Sequence, residues 1–117
     1  MNRYKDLRVW NDAMELAEQV YQLTASFPLE ERFGLKSQLQ RSAVSIPSNI
    51  AEGCGRTSHL EFKHFRSIAL GSAFELETQL LLAERLPYIN VESFPTTLDK
   101  TEKVQSMIIK LTQSINK

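Results

Sequence analysis

Four basic residues around a glycine-rich turn are the side chains of this sequence best suited to contact another molecule. Arg56, His59, Lys63 and Arg66 follow one another at intervals of three, four and three residues, so a helix would align them on one side. A row of cations can hold the phosphates of RNA or DNA without reading the base sequence. The alternatives are a plain solvated face, or a basic end that meets an acidic end of a neighbouring subunit.

Charge is unevenly distributed along the chain, although the formal net charge is +0. Residues 32–66 hold six Lys or Arg and two acidic residues, a balance of +4, whereas residues 67–99 hold one basic and five acidic residues, a balance of −4. Zero net charge argues against a polybasic protein whose whole surface binds nucleic acid. It leaves a local basic patch as the expectation.

The sequence predicts no metal site, no cofactor and no catalytic group. His59 and His64 are five residues apart, so they do not share a helical face as the histidines of HExxH do. Together with Cys54 they would make only an incomplete zinc set. Cys54 also has no base near it in sequence, which argues against a catalytic thiol.

Cysteine content and hydropathy favour a cytoplasmic protein. A single cysteine excludes an intramolecular disulfide and fits a reducing compartment. The charged N-terminus contains no signal-peptide core. The longest apolar run, Leu80-Leu81-Leu82-Ala83, is far shorter than the roughly 20 residues of a membrane span.

Helices must position these side chains, because no segment alternates as a strand would. Apolar residues recur every three or four positions in four segments, which predict helices over 6–26, 31–53, 58–86 and 93–116. Short connections favour one domain over 1–117, an antiparallel up-down-up-down four-helix bundle. An irregular all-α domain is the alternative.

The predicted ends of the helices depend on capping residues. Asp6 is the expected N-cap of the first helix, and Glu30 or Glu31 is expected to begin the second. Gly53 is expected to end the second helix as a left-handed C-cap. Ser58, with Glu61 three residues later, forms an S-x-x-E capping box for the third.

Two of the predicted helices have unusual features. Proline occurs at position 47, where it costs about 3 kcal/mol in a helix interior, yet the apolar stripe keeps its phase, so one kinked helix is expected. In the first helix, Trp10, Met14 and Tyr21 are placed on the core-facing side.

The third helix is more apolar than a bundle helix needs to be. One face, from Phe62 to Ala83, is expected to pack in the core. Leu70, Phe74 and Leu81 form a second face, which we expect to contact another subunit.

Arg41 is expected to lie level with Ser72 and Glu75 if the second and third helices are antiparallel. A partly buried Arg41–Glu75 ion pair is therefore predicted, since a charge among apolar residues is costly without a partner. A solvated Arg41 is the alternative. An enzyme site built from Arg41, Asn49, Glu52 and Glu75 is a weaker hypothesis, because these residues match no base, nucleophile or metal motif.

Three stretches of the sequence resemble a known family. RSAVSIPSNIAEGCGR at 41–56, EFKHFRSIALGSAFELETQL at 61–80 and YKDLRVWNDAMELAEQVY at 4–21 resemble the 23S rRNA intervening sequence proteins, also labelled S23 ribosomal proteins. The resemblance implies a left-handed antiparallel four-helix bundle that assembles into a ring-like homo-oligomer, a pentamer. A similar bundle is the accessory protein of diversity-generating retroelements, which implies RNA or DNA and a reverse transcriptase as partners.

The function expected from sequence is therefore that of a non-enzymatic, self-assembling helical bundle that binds RNA or DNA. Arg56, Lys63 and Arg66 would contact phosphates, and His59 would add charge when protonated. The alternative is a protein-interaction scaffold without nucleic-acid affinity, which the surplus apolar surface of the third helix favours.

Overall fold

The computed structural model describes the backbone of residues 3–89 and 92–115, with side chains described through residue 111. Its helices are α1 (Arg8–Thr24), α2 (Leu35–Cys54), α3 (His59–Arg85) and α4 (Phe94–Ile115), and 3₁₀ turns cover Tyr4–Asp6 and Leu29–Glu31. No strand occurs in these ranges. The prediction of an all-α, four-helix fold is confirmed.

Each helix packs against two others, in the pairs α1–α2, α2–α3, α3–α4 and α4–α1. Hydrogen bonds join Ser42 to Gln79 and Ser45 to Ser72, so α2 and α3 are antiparallel. Arg8 lies beside Lys110 across the α1–α4 cleft. These contacts are the ones expected of an up-down-up-down bundle. The core between the helices contains fully buried side chains, the largest of which include Leu16, Leu39, Ile46, Leu76, Leu80 and Ile108.

The first two helices begin later than the sequence predicts. Asp6 is not an N-cap: it ends a 3₁₀ turn, and Leu7 occupies the N-cap position of α1 without a side-chain bond. α2 begins at Leu35 because residues 29–31 form a separate 3₁₀ turn. The Glu31 carboxylate still serves that helix, since it accepts a hydrogen bond from the Leu35 backbone nitrogen at 2.9 Å and so satisfies a donor that the helix leaves free.

Gly53 does not end α2 as a left-handed C-cap. The helix continues to Cys54, and no glycine in the described chain has a positive φ. A Cβ at position 53 would lie 3.1 Å from Cβ of Phe65, so glycine favours the close approach of α3 there. The Ser58 cap of α3 is confirmed, because its hydroxyl accepts a hydrogen bond from the Glu61 backbone nitrogen at 3.1 Å.

α2 passes through Pro47 as one continuous helix, as the unbroken apolar phase predicts; the kink itself stays a prediction. α3 and α4 match their predicted ranges to within one residue where the chain is described. The predicted end of the fourth helix at residue 116 lies outside the described residues. In the described ranges, none of the helices is long and apolar enough to cross a membrane.

A half-buried ion cluster fastens α1 to α4. Lys100 Nζ donates hydrogen bonds to Asp12 Oδ1 at 3.0 Å and to Glu15 Oε2 at 2.8 Å, and Lys103 lies 3.6 Å from Asp12. Burial disfavours the charged form of Asp12, but the hydrogen bond and charge of Lys100, with help from Lys103, outweigh it and lower the pKa of this carboxyl. Hydrogen bonding to Glu15 is the largest contribution that raises the pKa of Lys100.

Replacing Asp12 by Asn should therefore destabilise the fold in a pH-dependent way. A lowered carboxyl pKa contributes stability above the unfolded value of 3.8, and this stability is lost as the pH falls through the folded value. We expect Asp12→Asn to lower the free energy of unfolding by about 1–3 kcal/mol at neutral pH, and the loss to shrink as the pH falls below 3.8 through the folded pKa of Asp12. Urea unfolding at one protein concentration measures both. Asp99→Asn, an exposed change on α4, is the control, and an equal effect of the two variants would contradict the assignment.

Candidate functional site

A polar seam joins α2 to α3; it is formed by Ser42, Ser45, Ser72 and Gln79. The Ser42 hydroxyl lies 2.8 Å from Gln79 Oε1, and the Ser45 and Ser72 hydroxyls lie 2.8 Å apart. Asn49 extends the seam, since its Nδ2 donates to the Ser45 carbonyl at 2.7 Å. The short serine side chains let the two backbones approach closely, and their hydroxyls are satisfied by partners across the seam. The seam is therefore a packing device rather than a set of free catalytic groups.

The predicted Arg41–Glu75 ion pair is wrong for the single chain. Both side chains are exposed, and among the described residues the Glu75 carboxylate instead lies 3.0 Å from the Ser42 hydroxyl. Neighbouring residues of a helix point about 100° apart, so the position that faces α3 is occupied by Ser42, and Arg41 points outward. The position of Arg41 along the bundle axis was predicted correctly, but the direction of its side chain was not.

The residues of the enzyme hypothesis do not form a shared site. Asn49 belongs to the seam, and Glu52 Oε1 binds Arg56 Nη2 at 2.8 Å. Burial raises the pKa of the Cys54 thiol, which favours the protonated form and makes it a poor nucleophile. Within the described residues, no group of three or more His, Cys, Asp or Glu could hold a metal ion.

The four predicted phosphate-binding residues differ in their availability. The guanidinium of Arg56 lies 2.8 Å from Glu52 and 3.9 Å from Glu61, and 4.7 Å from the centre of the Phe65 ring. Arg66 is half-buried, and burial lowers the pKa of its guanidinium, which nevertheless remains a cation. His59 and Lys63 are exposed. The predicted row thus offers Lys63 as its most accessible permanent charge.

Other cations lie with Lys63 at the same end of the bundle, a grouping that spacing along the sequence does not reveal. The 3₁₀ turn at Tyr4–Asp6 contacts α2, and the first residues of α1 face the last described turns of α4. This brings together a set that we call the basic end: Arg3, Lys5, Arg8, Lys63 and Lys110. All five are exposed, and in the part of the chain that the structure describes none forms an ion pair.

The outer face of α3 carries large apolar side chains that the described part of the chain leaves exposed. Phe74, Leu81 and Leu82 are 46%, 41% and 47% exposed, and we call these three residues the α3 ridge. Leu70, the third residue predicted for a subunit contact, is half-buried and packs on the core of its own chain. Beside Phe74, a Cβ added to Gly71 would meet nothing within 4 Å, so this glycine lies against open space.

A second apolar surface lies between α1 and α2. It is a groove of about 690 Å³. Its lining, which defines what we call the α1–α2 groove, includes Tyr4, Trp10, Met14, Tyr21, Val44 and Pro47. The helical spacing predicts Trp10, Met14 and Tyr21 on the core-facing side. That placement is wrong for Met14 and Tyr21, which are 39% and 48% exposed, because Val9, Leu16 and Leu23 take the centre of the buried face.

Comparison with known proteins decides the family. The family model of the 23S rRNA-intervening sequence protein matches residues 5–110. The chain belongs to this family. A solved structure with the same fold is that of a protein of unknown function from the S23 ribosomal protein family of Bacteroides thetaiotaomicron. It is 27% identical with a TM-score of 0.82, over 89% of this chain and 97% of that one. No curated protein matches the chain.

Family membership confirms the resemblance seen in the sequence, and the structural neighbour confirms the all-α fold. Neither names an activity. For this member of the 23S rRNA-intervening sequence family, function therefore has to be argued from the α3 ridge, the α1–α2 groove and the basic end.

Removal of the Ser45 and Ser72 hydroxyls should have non-additive effects on the free energy of unfolding. A hydrogen bond between neutral groups contributes about 0.5–1.5 kcal/mol, so Ser45→Ala and Ser72→Ala should show a coupling energy of that size in a double-mutant cycle. Ser45→Ala paired with Thr101→Ala, in the distant α4, is the control and should be additive. Additivity of the Ser45 and Ser72 changes would contradict a direct bond.

Proposed function

We propose that the protein is a non-enzymatic, self-assembling four-helix bundle whose subunits meet through the α3 ridge. The observation that supports it is the exposure of Phe74, Leu81 and Leu82 on one helix face. Apolar patches of this kind on a soluble domain mark interaction surfaces. Burial of such side chains contributes roughly 25 cal/mol for each Å² removed from water, which makes the ridge a strong source of association energy.

Gly71 adds support to the same surface. Glycine inside a helix costs about 1 kcal/mol relative to alanine, and no described neighbour in its own chain requires it here. A backbone that approaches from another subunit would require it, because the missing Cβ lets two helices come close. The family resemblance makes a closed ring of five subunits the expected assembly.

Replacing Phe74 by Glu should break the assembly without unfolding the helices. A charge at the centre of an apolar contact would have to be buried unpaired, which costs several kcal/mol. We expect the mass measured by sedimentation to fall toward that of one chain, with the far-ultraviolet circular dichroism unchanged. Phe33→Glu is the matched control: Phe33 is 85% exposed in the α1–α2 connection, away from the ridge, and the assembly should survive its change. An oligomer that tolerates Phe74→Glu would contradict the proposed surface.

A second candidate function is sequence-independent binding of RNA or DNA at the basic end. The observation that favours it is the convergence of Arg3, Lys5, Arg8, Lys63 and Lys110 at one end of the bundle. Repetition of this end around a closed oligomer would multiply the number of phosphate contacts. Arg56 contributes less to this surface than its sequence position implies, because Glu52 and Glu61 already offset its charge.

A gel-shift assay at several salt concentrations tests this binding. The double change Arg8→Glu and Lys63→Glu should abolish retention of structured RNA and duplex DNA at low salt, since each lost phosphate contact removes about 0.9 from the salt slope on duplex DNA. The control is Lys36→Glu with Arg85→Glu, which changes charge equally outside the basic end and should leave binding unaltered. The basic end is not a nucleic-acid surface if the unmodified protein binds neither RNA nor DNA at low salt, or if the two double variants bind equally well.

A further inference from the structure

We propose that the α1–α2 groove receives the α3 ridge of the next copy, so that subunits join head to tail. This inference rests on the proposed self-assembly and goes beyond it by naming the surface that the ridge occupies. The groove is the natural acceptor because it is concave, apolar and lined by aromatic rings. Tyr4 and Trp10 pack edge to face there, with ring centroids 5.1 Å apart.

Phe74 of the ridge lies at the height of the groove along the bundle. The Ser45–Ser72 hydrogen bond of 2.8 Å fixes residue 45 of α2 level with residue 72 of α3. Val44 and Pro47 of the groove flank Ser45, and Phe74 of the ridge follows Ser72 by two residues. Copies related by rotation about an axis parallel to the helices would therefore bring Phe74 to the level of Val44 without any shift along that axis. Such a rotation is what closes a ring.

The two surfaces belong to different sides of the chain. The groove runs along α1 and α2, and the ridge lies on α3, which contacts α2 and α4. A ridge-to-ridge dimer would leave the groove open on both subunits. A heterologous contact covers both surfaces of every subunit once the ring is closed.

Charge at the edges of the two surfaces is complementary. Arg41 lines a shallow cleft that continues the groove past Tyr21 and Val44. It is exposed and, among the described residues, forms no ion pair. Glu75 follows Phe74 on α3; it is exposed, accepts a hydrogen bond from Ser42 and forms no ion pair among the described residues. The Ser42–Gln79 bond sets this part of α3 level with Arg41. The Glu75 carboxylate, which Arg41 does not reach within its own chain, is thus at the right height in the next.

Two otherwise unexplained residues gain a role in this contact. Pro47 forms part of the groove wall, where its ring adds apolar surface without a side chain long enough to fill the space. Gly71 lies on the outer side of α3 near Phe74, where its missing Cβ leaves space for the helix of the receiving subunit.

Mixing two variants tests the head-to-tail contact. Val44→Glu should prevent the groove from binding a ridge, and Phe74→Glu should prevent the ridge from binding a groove. Each variant alone should therefore sediment as a monomer with unchanged helicity. In a mixture, the intact ridge of the Val44→Glu variant can bind the intact groove of the Phe74→Glu variant, and a 1:1 dimer should form. Trp10, the single tryptophan, lines the groove and should shift its fluorescence to shorter wavelength in the mixture. An oligomer of unchanged mass for Val44→Glu would overturn the groove assignment and leave self-assembly standing, whereas a monomeric unmodified protein would overturn both.

Disulfide cross-linking gives a second measurement that does not depend on the strength of one contact. With Cys54 replaced by Ser, a chain carrying Val44→Cys and Phe74→Cys should oxidise to a ladder of linked chains longer than a dimer. Each single-cysteine variant should remain unlinked. Cross-linked dimers from Phe74→Cys alone would show a ridge-to-ridge contact and overturn the proposal, as would an unlinked double variant in an otherwise intact oligomer.

Discussion

The close packing of α2 against α3 is the contact on which the rest of the structure depends. Gly53 lets the N-terminal turns of α3 approach α2, and the short side chains of the seam keep the two helices near each other up to Gln79. Because the seam is made of mutually bonded hydroxyls and amides, it also fixes the register of the two helices. That register sets the height of the α3 ridge relative to the α1–α2 groove, and so would link internal packing to the proposed assembly.

The sequence predicted the helices well where their signals are local. The Ser58–Glu61 capping box placed the start of α3 within one residue, and the apolar phase across Pro47 predicted a single α2. Its failures concern tertiary context. Gly53 has the residue type of a C-cap, but contact with Phe65 decides its role. Nothing in the sequence near Glu31 shows that its carboxylate reaches forward to the Leu35 backbone nitrogen, so the start of α2 was predicted too early.

The candidate surfaces were predicted only in part, for a geometric reason. Periodicity shows that α3 has more apolar side chains than one stripe requires, and Phe74 and Leu81 are indeed exposed. It does not show how wide a buried stripe will be, so Met14 and Tyr21 were placed in the core. Nor does it show which distant residues meet at one end of a bundle, and for that reason Arg3, Lys5 and Arg8 were not joined to Lys63.

The central claim is that this chain works as an assembly, and its mass in solution tests that claim most directly. Sedimentation equilibrium of the unmodified protein over a dilution series should give a discrete multiple of 13.4 kDa, as a closed ring requires. A mass of one chain throughout the series would contradict the account, because the α3 ridge would then face water with no subunit to cover it.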